Sequence, residues 1–248
     1  MKLSRRLMEV AERVPPGRVV VDVGADHGRL VVHLVGSGRA RRGVAVELRP
    51  QPAAVARRAV AEAGLEGQVE VRLGDGLAPL EPGEVEVVCV AGMGGATIAG
   101  ILERGRDRLE AGVERLVLQP NGGDLILRRR LLELGWRLVD EVALEERGRY
   151  YAILVAEPGD AEAPYRGGER ELLLRVGPLL VKAPNDAMRR RWREERAHLG
   201  RVVAGLSRHP SAENEAKLEV VRREVEVVEA ILERLGPLGD TGRGDERG

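Results

Sequence analysis

The residues most able to do chemistry sit where apolar runs end. Asp22 interrupts a run of valines, Val19-Val20-Val21-Asp22-Val23, and Gly24, Asp26, His27 and Gly28 follow it directly. A run of that kind suits a strand buried on both faces. The glycines let backbone approach a bound molecule closely, and the free N–H groups opening the next helix favour electron-rich or anionic groups. Glu47 ends a second apolar run, Gly43-Val44-Ala45-Val46-Glu47, about twenty residues on, the place where an acid accepts hydrogen bonds from both hydroxyls of a ribose. After a third run, Gly74-Asp75-Gly76 offers Asp75 to an adenine amino group, with Gly76 backbone and Leu77 as an apolar wall. Two more clusters close the set: Ala91-Gly92-Met93-Gly94-Gly95, where Met93 walls a pocket or packs, and Gln119-Pro120-Asn121.

Asp22 discriminates between ligands. A phosphate would be repelled by an acid in the turn, whereas a cationic group would be attracted. The dinucleotide fingerprint G-x-G-x-x-G is not met, because Asp26 stands at its middle glycine. S-adenosylmethionine fits better: adenosine for Glu47 and Asp75, ammonium and sulfonium for an acidic turn, and no phosphate. No metal is expected.

The elements that must position these residues follow from periodicity. Leu3, Leu7, Val10 and Val14 recur at helical spacing with Ser4 as N-cap, and Pro15-Pro16-Gly17 stops that helix. Strands are expected at 18–23, 43–47, 69–73, 85–90 and 115–121, alternating with helices at 30–35, 50–64, 97–109 and 124–134. A closing antiparallel hairpin is expected at 136–144 and 150–156. Strand–helix alternation predicts an α/β fold, a mostly parallel doubly wound sheet with helices on both faces. Every polar or glycine-rich cluster then falls at the carboxyl end of a strand, where open α/β sheets bind ligands.

Residues 157–168 read as a polar Pro/Gly linker and a domain boundary. Beyond two short apolar pieces, 172–174 and 178–181, the chain becomes helical and charged. Met188, Trp192, Leu199, Val202 and Leu206 mark one helix face, and Leu218, Val221, Val225, Val228, Leu232 and Leu235 another, with a reversal at 207–211. These predict two antiparallel, coiled-coil-like helices. The last residues, 237–248, are Gly-rich and polar and are expected to be disordered.

Composition sets outer bounds. The 248 residues suffice for one substantial core, which must be aliphatic because aromatics are 2% and Phe is absent. Net charge is zero, so any nucleic-acid binding rests on a local patch. Arginine supplies nearly all the positive charge, since the only lysines are Lys2, Lys182 and Lys217. A single cysteine, Cys89, excludes an intrachain disulfide. The absence of a long apolar stretch or a signal-peptide core leads to the expectation of a cytoplasmic protein.

The succession Asp22 to Gly28, Gly74-Asp75-Gly76-Leu77, Ala91 to Gly95 and Gln119-Pro120-Asn121, preceded by Leu3-Ser4-Arg5-Arg6-Leu7 and followed by a helical arm, resembles the bacterial tRNA (adenine(22)-N1)-methyltransferase family over about residues 3–235. Ala-Gly-Met-Gly-Gly, in place of the Asn/Asp-Pro-Pro-aromatic of other class I methyltransferases, is its distinguishing piece. The resemblance implies a Rossmann-like class I methyltransferase domain, set by the linker at 1–157, and a C-terminal coiled-coil-like domain at 158–236. It implies S-adenosylmethionine as donor and N1 of an adenine in tRNA as acceptor.

N1 carries an in-plane lone pair, so the protein mainly aligns donor and acceptor, unstacks the base and answers the positive charge that develops. The expected cofactor-binding residues are Asp22, Gly24, Asp26, His27, Gly28, Glu47, Asp75, Gly76, Ala91, Gly92 and Met93. The expected catalytic residues are Asp26, for the developing charge, Gln119 and Asn121, for orienting the base, and Tyr150, for stacking on it. Strand alternation points only one of Tyr150 and Tyr151 inward. Asp26 could equally cap the following helix, and His27 could be a base or a hydrogen-bonded structural residue. Arg5-Arg6, Arg39-Arg41-Arg42, Arg128 to Arg130 and Arg189 to Arg193 are candidate phosphate contacts, or solvated helix faces. The helical arm could clamp tRNA or dimerise, which leaves monomer and homodimer open. The alternatives are a small-molecule methyltransferase, a nucleotide-cofactor oxidoreductase and a non-catalytic partner-binding protein.

Overall fold

The valines of β1 (Arg18–Val23) leave its last four residues buried on both faces. In the computed structural model, which describes residues 3–237, β1 lies between β2 (Ala40–Glu47) and β4 (Val87–Met93), parallel to both. With β3 (Val69–Leu73), β5 (Arg115–Pro120), β6 (Trp136–Glu146) and β7 (Arg149–Pro158) they make a seven-stranded sheet in the order β3-β2-β1-β4-β5-β7-β6. Only β7 runs against its neighbours. The strand order reverses between β1 and β4, so a crevice is expected beyond their carboxyl ends.

Helices α1 (Arg5–Glu12), α2 (Arg29–Gly36), α3 (Pro50–Glu62), α4 (Gly95–Arg104), α5 (Arg106–Glu110) and α6 (Asp124–Glu133) connect and cover the strands. Ser4 caps α1 as its position predicts, accepting the Leu7 N–H at 3.3 Å. The expected helix 97–109 is broken at Gly105 into α4 and α5. The fourth strand runs further than its apolar run, through Ala91-Gly92-Met93. Ala91 pairs with Gln119 and Met93 with Pro120, and the ladder skips Gly92, whose φ is 81°. Cys89 is a buried free thiol facing Asp22 in register.

The boundary expected after residue 157 lies elsewhere. The first compact unit runs to Leu179. Within 158–179, a 3₁₀ turn at Ala163–Tyr165 and helix α7 (Arg170–Val176) bury Tyr165, Leu172, Leu173, Leu174 and Val176. A deeply buried ion pair fastens this segment. Arg128 of α6 meets Glu141 of β6 at 2.7 Å and donates to the carbonyls of Leu174 and Arg175, while Glu141 accepts the Leu179 N–H at 3.0 Å. The Pro/Gly composition therefore marks a packed connection of the first unit rather than a free linker.

A short helix, α8 (Pro178–Lys182), spans the division into the second unit. That unit is an antiparallel hairpin of α9 (Asp186–Ser207) and α10 (Ala212–Leu235). Asn185 and Ser211 cap the two helices, and Arg189 near the start of α9 bonds the Leu235 carbonyl at the end of α10 at 2.9 Å. The reversal falls where the sequence places it. On α10 the expected stripe residues Leu218, Val228 and Leu235 are buried, and Ile231 is buried more fully than Leu232. Residues 238–248, most of the expected disordered tail, lie outside the described residues.

Candidate active site

Asp22 is held deep in the crevice, with only 4% of its surface exposed. One carboxylate oxygen accepts a backbone hydrogen bond from Val31 of α2, and Oδ2 is buried without a partner. Burial, and then the neighbouring charge of Glu47, push its pKa up to about 7. Asp22 lines a cavity of about 290 Å³ whose walls come from the β1–α2 turn, the exit of β4, Asn121 and α1. An orphaned buried acid opening on a cavity is suited to a cationic ligand, which would supply the missing partner.

Gly24 and Met93 shape the same cavity. Gly24 has a φ of 70°, and a Cβ there would stand 2.0 Å from the Met93 methyl carbon. Met93 therefore lies directly across the glycine, and no side chain fits between them. Ala91 and Gly92 continue this wall. Gly28, which begins α2 with a φ of 66°, lies outside the cavity and against α3; its Cβ would meet the Ala56 backbone at 3.3 Å.

Glu47 is buried and lies against the turn. It receives the Asp26 N–H on Oε1, and its carbonyl accepts the Gly74 N–H at 2.8 Å. Burial holds its carboxyl above the usual range. Asp26 itself has a φ of 52°, uncommon for a residue other than glycine. Its side chain is 76% exposed, 3.6 Å from His27 Nε2, and both residues line the cavity. The N-cap of α2 is Gly28, with no side-chain cap, so the capping role considered for Asp26 does not occur.

Other expected residues fall differently. Asp75 and Gly76 are outside this cavity, and Asp75 pairs with Arg104 at 3.1 Å. Gln119 has no exposed surface. Its Oε1 accepts from Gly92 N–H at 3.0 Å and from Arg6 Nη1, while Nε2 donates to the Pro120 carbonyl at 2.7 Å and to Asn121 Oδ1 at 3.3 Å. With its amide fully engaged, Gln119 positions Gly92 and Arg6 instead of reaching a base. Asn121 does line the cavity, and its Nδ2 donates to the Gly92 carbonyl at 2.7 Å.

Neither Tyr150 nor Tyr151 lines this cavity; Tyr151 lines a neighbouring one of about 570 Å³, which Tyr150 does not. The Arg6 guanidinium carbon lies 5.2 Å from the centroid of the Tyr151 ring. The sequence offers Arg6 as a phosphate contact or part of a solvated helix face, because charge alone does not reveal that α1 turns it toward buried Gln119. The run Arg128 to Arg130 is committed internally. Arg128 is buried on Glu141, Arg129 pairs with Glu171 at 2.5 Å, and Arg130 pairs with Glu103 and Glu133. Arg39 is likewise spent on the carbonyls of Val14 and Glu12.

A sheet in this order with one antiparallel strand, and a buried acid beside a glycine turn at its switch point, defines a Rossmann-like methyltransferase. A profile of the family described as TrmK, tRNA (adenine(22)-N(1))-methyltransferase, matches residues 20–230, and the chain belongs to that family. It is 39% identical over 234 residues to the tRNA (adenine(22)-N(1))-methyltransferase of Bacillus subtilis (strain 168), covering 94% of this chain and 98% of that relative. The crystal structure of the B. subtilis M1A22 tRNA methyltransferase TrmK superposes with a TM-score of 0.87 at 38% identity, over 93% of this chain and 99% of the other. Streptococcus pneumoniae Sp1610, solved in complex with S-adenosyl-L-methionine, superposes with a TM-score of 0.82 at 34% identity, over 93% and 100% of the two chains.

Proposed function

We propose that this protein transfers the methyl group of S-adenosylmethionine to N1 of adenine 22 in tRNA. One observation carries the reading: in a chain of this family, a buried acid with an unpaired oxygen opens on a cavity at the switch point of the sheet. When bound, S-adenosylmethionine supplies an electrophilic methyl group on a sulfonium.

The chain's own residues provide the rest. Asp22 answers the ligand's positive charge, and Gly24 with Met93 sets how closely it can lie to the backbone. Glu47, whose Oε2 carries no hydrogen bond among the described residues, accepts from ribose hydroxyls. Asp26, at the exposed lip, offsets the positive charge that methylation leaves on the base. No base is needed to activate N1, whose lone pair carries no proton, so His27 acts by hydrogen bonding near Asp26. Gln119 and Asn121 brace the Gly92–Met93 wall from behind, which keeps donor and acceptor aligned.

The wider tRNA contact falls to the Arg-rich surface and to the C-terminal helices α9 and α10. Among the described residues, no helix is long and apolar enough to cross a membrane, and this reading places the enzyme in the cytoplasm with its substrate. The test is incubation with labelled S-adenosylmethionine and an unmodified tRNA transcript, then mapping of the modified base. Label on N1 of adenine 22 is expected; label on another atom or nucleotide would overturn the assignment.

A further inference from the structure

The turn after β3 carries Asp75, which stands outside the cavity beside Asp22 but next to Glu47. Strand register sets Leu73 opposite Glu47, and the Gly74 N–H donates to the Glu47 carbonyl at 2.8 Å. Leu48 and Leu73, directly after and opposite Glu47, are exposed apolar side chains. At this end of the sheet, apolar surface for the faces of a base therefore lies beside a carboxylate for its edge.

The turn is mounted on the last residues of α4. A Cβ at Gly76 would meet Ile101 at 3.1 Å, and one at Gly105 would meet buried Leu77 at 2.6 Å, so both contacts depend on glycine. Two arginines clamp the chain beyond the turn. Arg72 donates to the Pro79 carbonyl at 3.0 Å and pairs with Glu84, and Arg108 donates to the Leu80 carbonyl at 3.3 Å. With the backbone fixed in this way, what remains to be set is the rotation of the Asp75 side chain.

Arg104, the last residue of α4, sets it. Its Nη2 donates to Asp75 Oδ1 at 3.1 Å. Its Nη1 lies over Gly100, where a Cβ would stand 3.2 Å away, so the guanidinium follows a helix face that glycine leaves bare. Oδ2 of Asp75 accepts no hydrogen bond among the described residues, which leaves one oxygen held and one for a ligand. The Arg104 and Asp75 side chains are 59% and 55% exposed. A pair so exposed contributes little to stability, and its geometry matters more for what Asp75 offers a ligand than for the fold.

We propose that Arg104 is a positioning residue for cofactor recognition: through one charged hydrogen bond it turns Asp75 so that Oδ2 accepts from the exocyclic amino group of the adenine of S-adenosylmethionine. The proposal rests on the reading of the chain as an S-adenosylmethionine-dependent enzyme and adds the residue that sharpens its choice of base. An ionised carboxylate only accepts hydrogen bonds, so it selects an amino group and rejects a carbonyl. Holding the carboxylate in advance removes the cost of ordering it when the base arrives.

The test titrates S-adenosylhomocysteine and S-inosylhomocysteine, in which a carbonyl replaces that amino group, into wild type, Asp75→Asn, Arg104→Met and Arg104→Lys by calorimetry. Wild type is expected to prefer S-adenosylhomocysteine by about tenfold or more, and Asp75→Asn by less than about threefold, because a rotated amide donates to the carbonyl. Arg104→Met should reduce the preference by about threefold or more, through weaker S-adenosylhomocysteine binding alone. Arg104→Lys should keep it, since a single nitrogen makes the contact and the guanidinium fork is not used. In turnover, Arg104→Met should raise KM for S-adenosylmethionine by a similar factor and leave kcat unchanged. Its thermal midpoint should stay within about 2 °C of wild type.

An unchanged preference in Arg104→Met, or one lost in Arg104→Lys as well, would overturn the positioning role. A lowered thermal midpoint with weaker binding of both ligands would do the same, because the effect would then be structural. Equal binding of the two ligands by wild type would remove Asp75 from base recognition and the proposal with it. Wild type that binds no S-adenosylhomocysteine would instead overturn the functional reading on which the proposal rests.

Discussion

Asp22 ties ligand binding to pH. Its pKa is raised from 3.8 to about 7 by burial and by Glu47, so the folded protein without ligand holds a proton that the unfolded chain gives up. That contribution to stability is present below pH 3.8 and is lost as pH rises toward 7. A cationic ligand requires the ionised form. Affinity for S-adenosylmethionine should therefore rise about tenfold per pH unit below 7, level off, and fall again above about 8 as the ligand's α-amino group loses its proton. Calorimetry in buffers of different ionisation enthalpy should detect proton release on binding near pH 6. Asp22→Asn should weaken binding by tenfold or more at pH 7.5 and abolish that release; a variant that retains both would remove Asp22 from the site. Glu47→Ala should also weaken cofactor affinity, by about 1–3 kcal/mol from the lost charge-assisted hydrogen bonds, whereas Asp26→Ala should slow transfer more than it weakens binding. Equal calorimetric affinities for wild type and Glu47→Ala would contradict the ribose role. The positions of Asp22, Gly24 and Glu47 at strand ends and in a glycine turn were legible in the sequence because these are local signals. The inward direction of Arg6 and Tyr151 was not, because it depends on the approach of α1 and on the hairpin register, in which Tyr151 pairs with Leu144 and Tyr150 with Glu145.

At the scale of elements, the sequence identified each strand and most helices, but it misjudged how they end and what fastens them. The apolar run of β4 stops before Ala91, yet the strand continues because Gln119, in the neighbouring strand, bonds the Gly92 N–H from a buried position. No local propensity encodes that. The ion pair of Arg128 and Glu141 is a second long-range device, joining α6, β6 and α7 at side-chain exposures of 1% and 0%. Breaking such a pair strands a buried charge, so Glu141→Gln should lower stability by about 3–5 kcal/mol. Urea denaturation would measure the loss. Arg128→Met/Glu141→Leu should recover much of it, since an apolar pair of similar volume removes both desolvation costs. If the double variant were as unstable as Glu141→Gln, the cost would lie in the lost bonds to Leu174, Arg175 and Leu179 rather than in the unpaired charge. Neither substitution touches the cavity beside Asp22, so cofactor affinity of the folded fraction should stay within about twofold.

For the whole molecule, composition suggested two units but located their division at the change in polarity near residue 157. The two compact units divide after Leu179. The difference arises because a Pro/Gly-rich stretch can be packed as readily as it can be free, and Tyr165 with the leucines of α7 supplies the packing surface. Two truncations separate the possibilities. A chain of residues 1–179 retains every residue around both cavities together with the covering of Arg128, so it should unfold cooperatively and bind S-adenosylmethionine within about threefold of the full chain. It should lose most of its tRNA affinity if α9 and α10 supply part of the contact, and retain it if the hairpin serves another purpose. A chain of residues 1–157 takes the Leu174 and Arg175 carbonyls from Arg128 and the Leu179 N–H from Glu141, removing partners of a buried ion pair. Loss of cooperative unfolding or aggregation is expected for it, by circular dichroism and light scattering. If 1–157 were as stable as 1–179, the covering segment would be dispensable and the boundary would revert to the polar stretch.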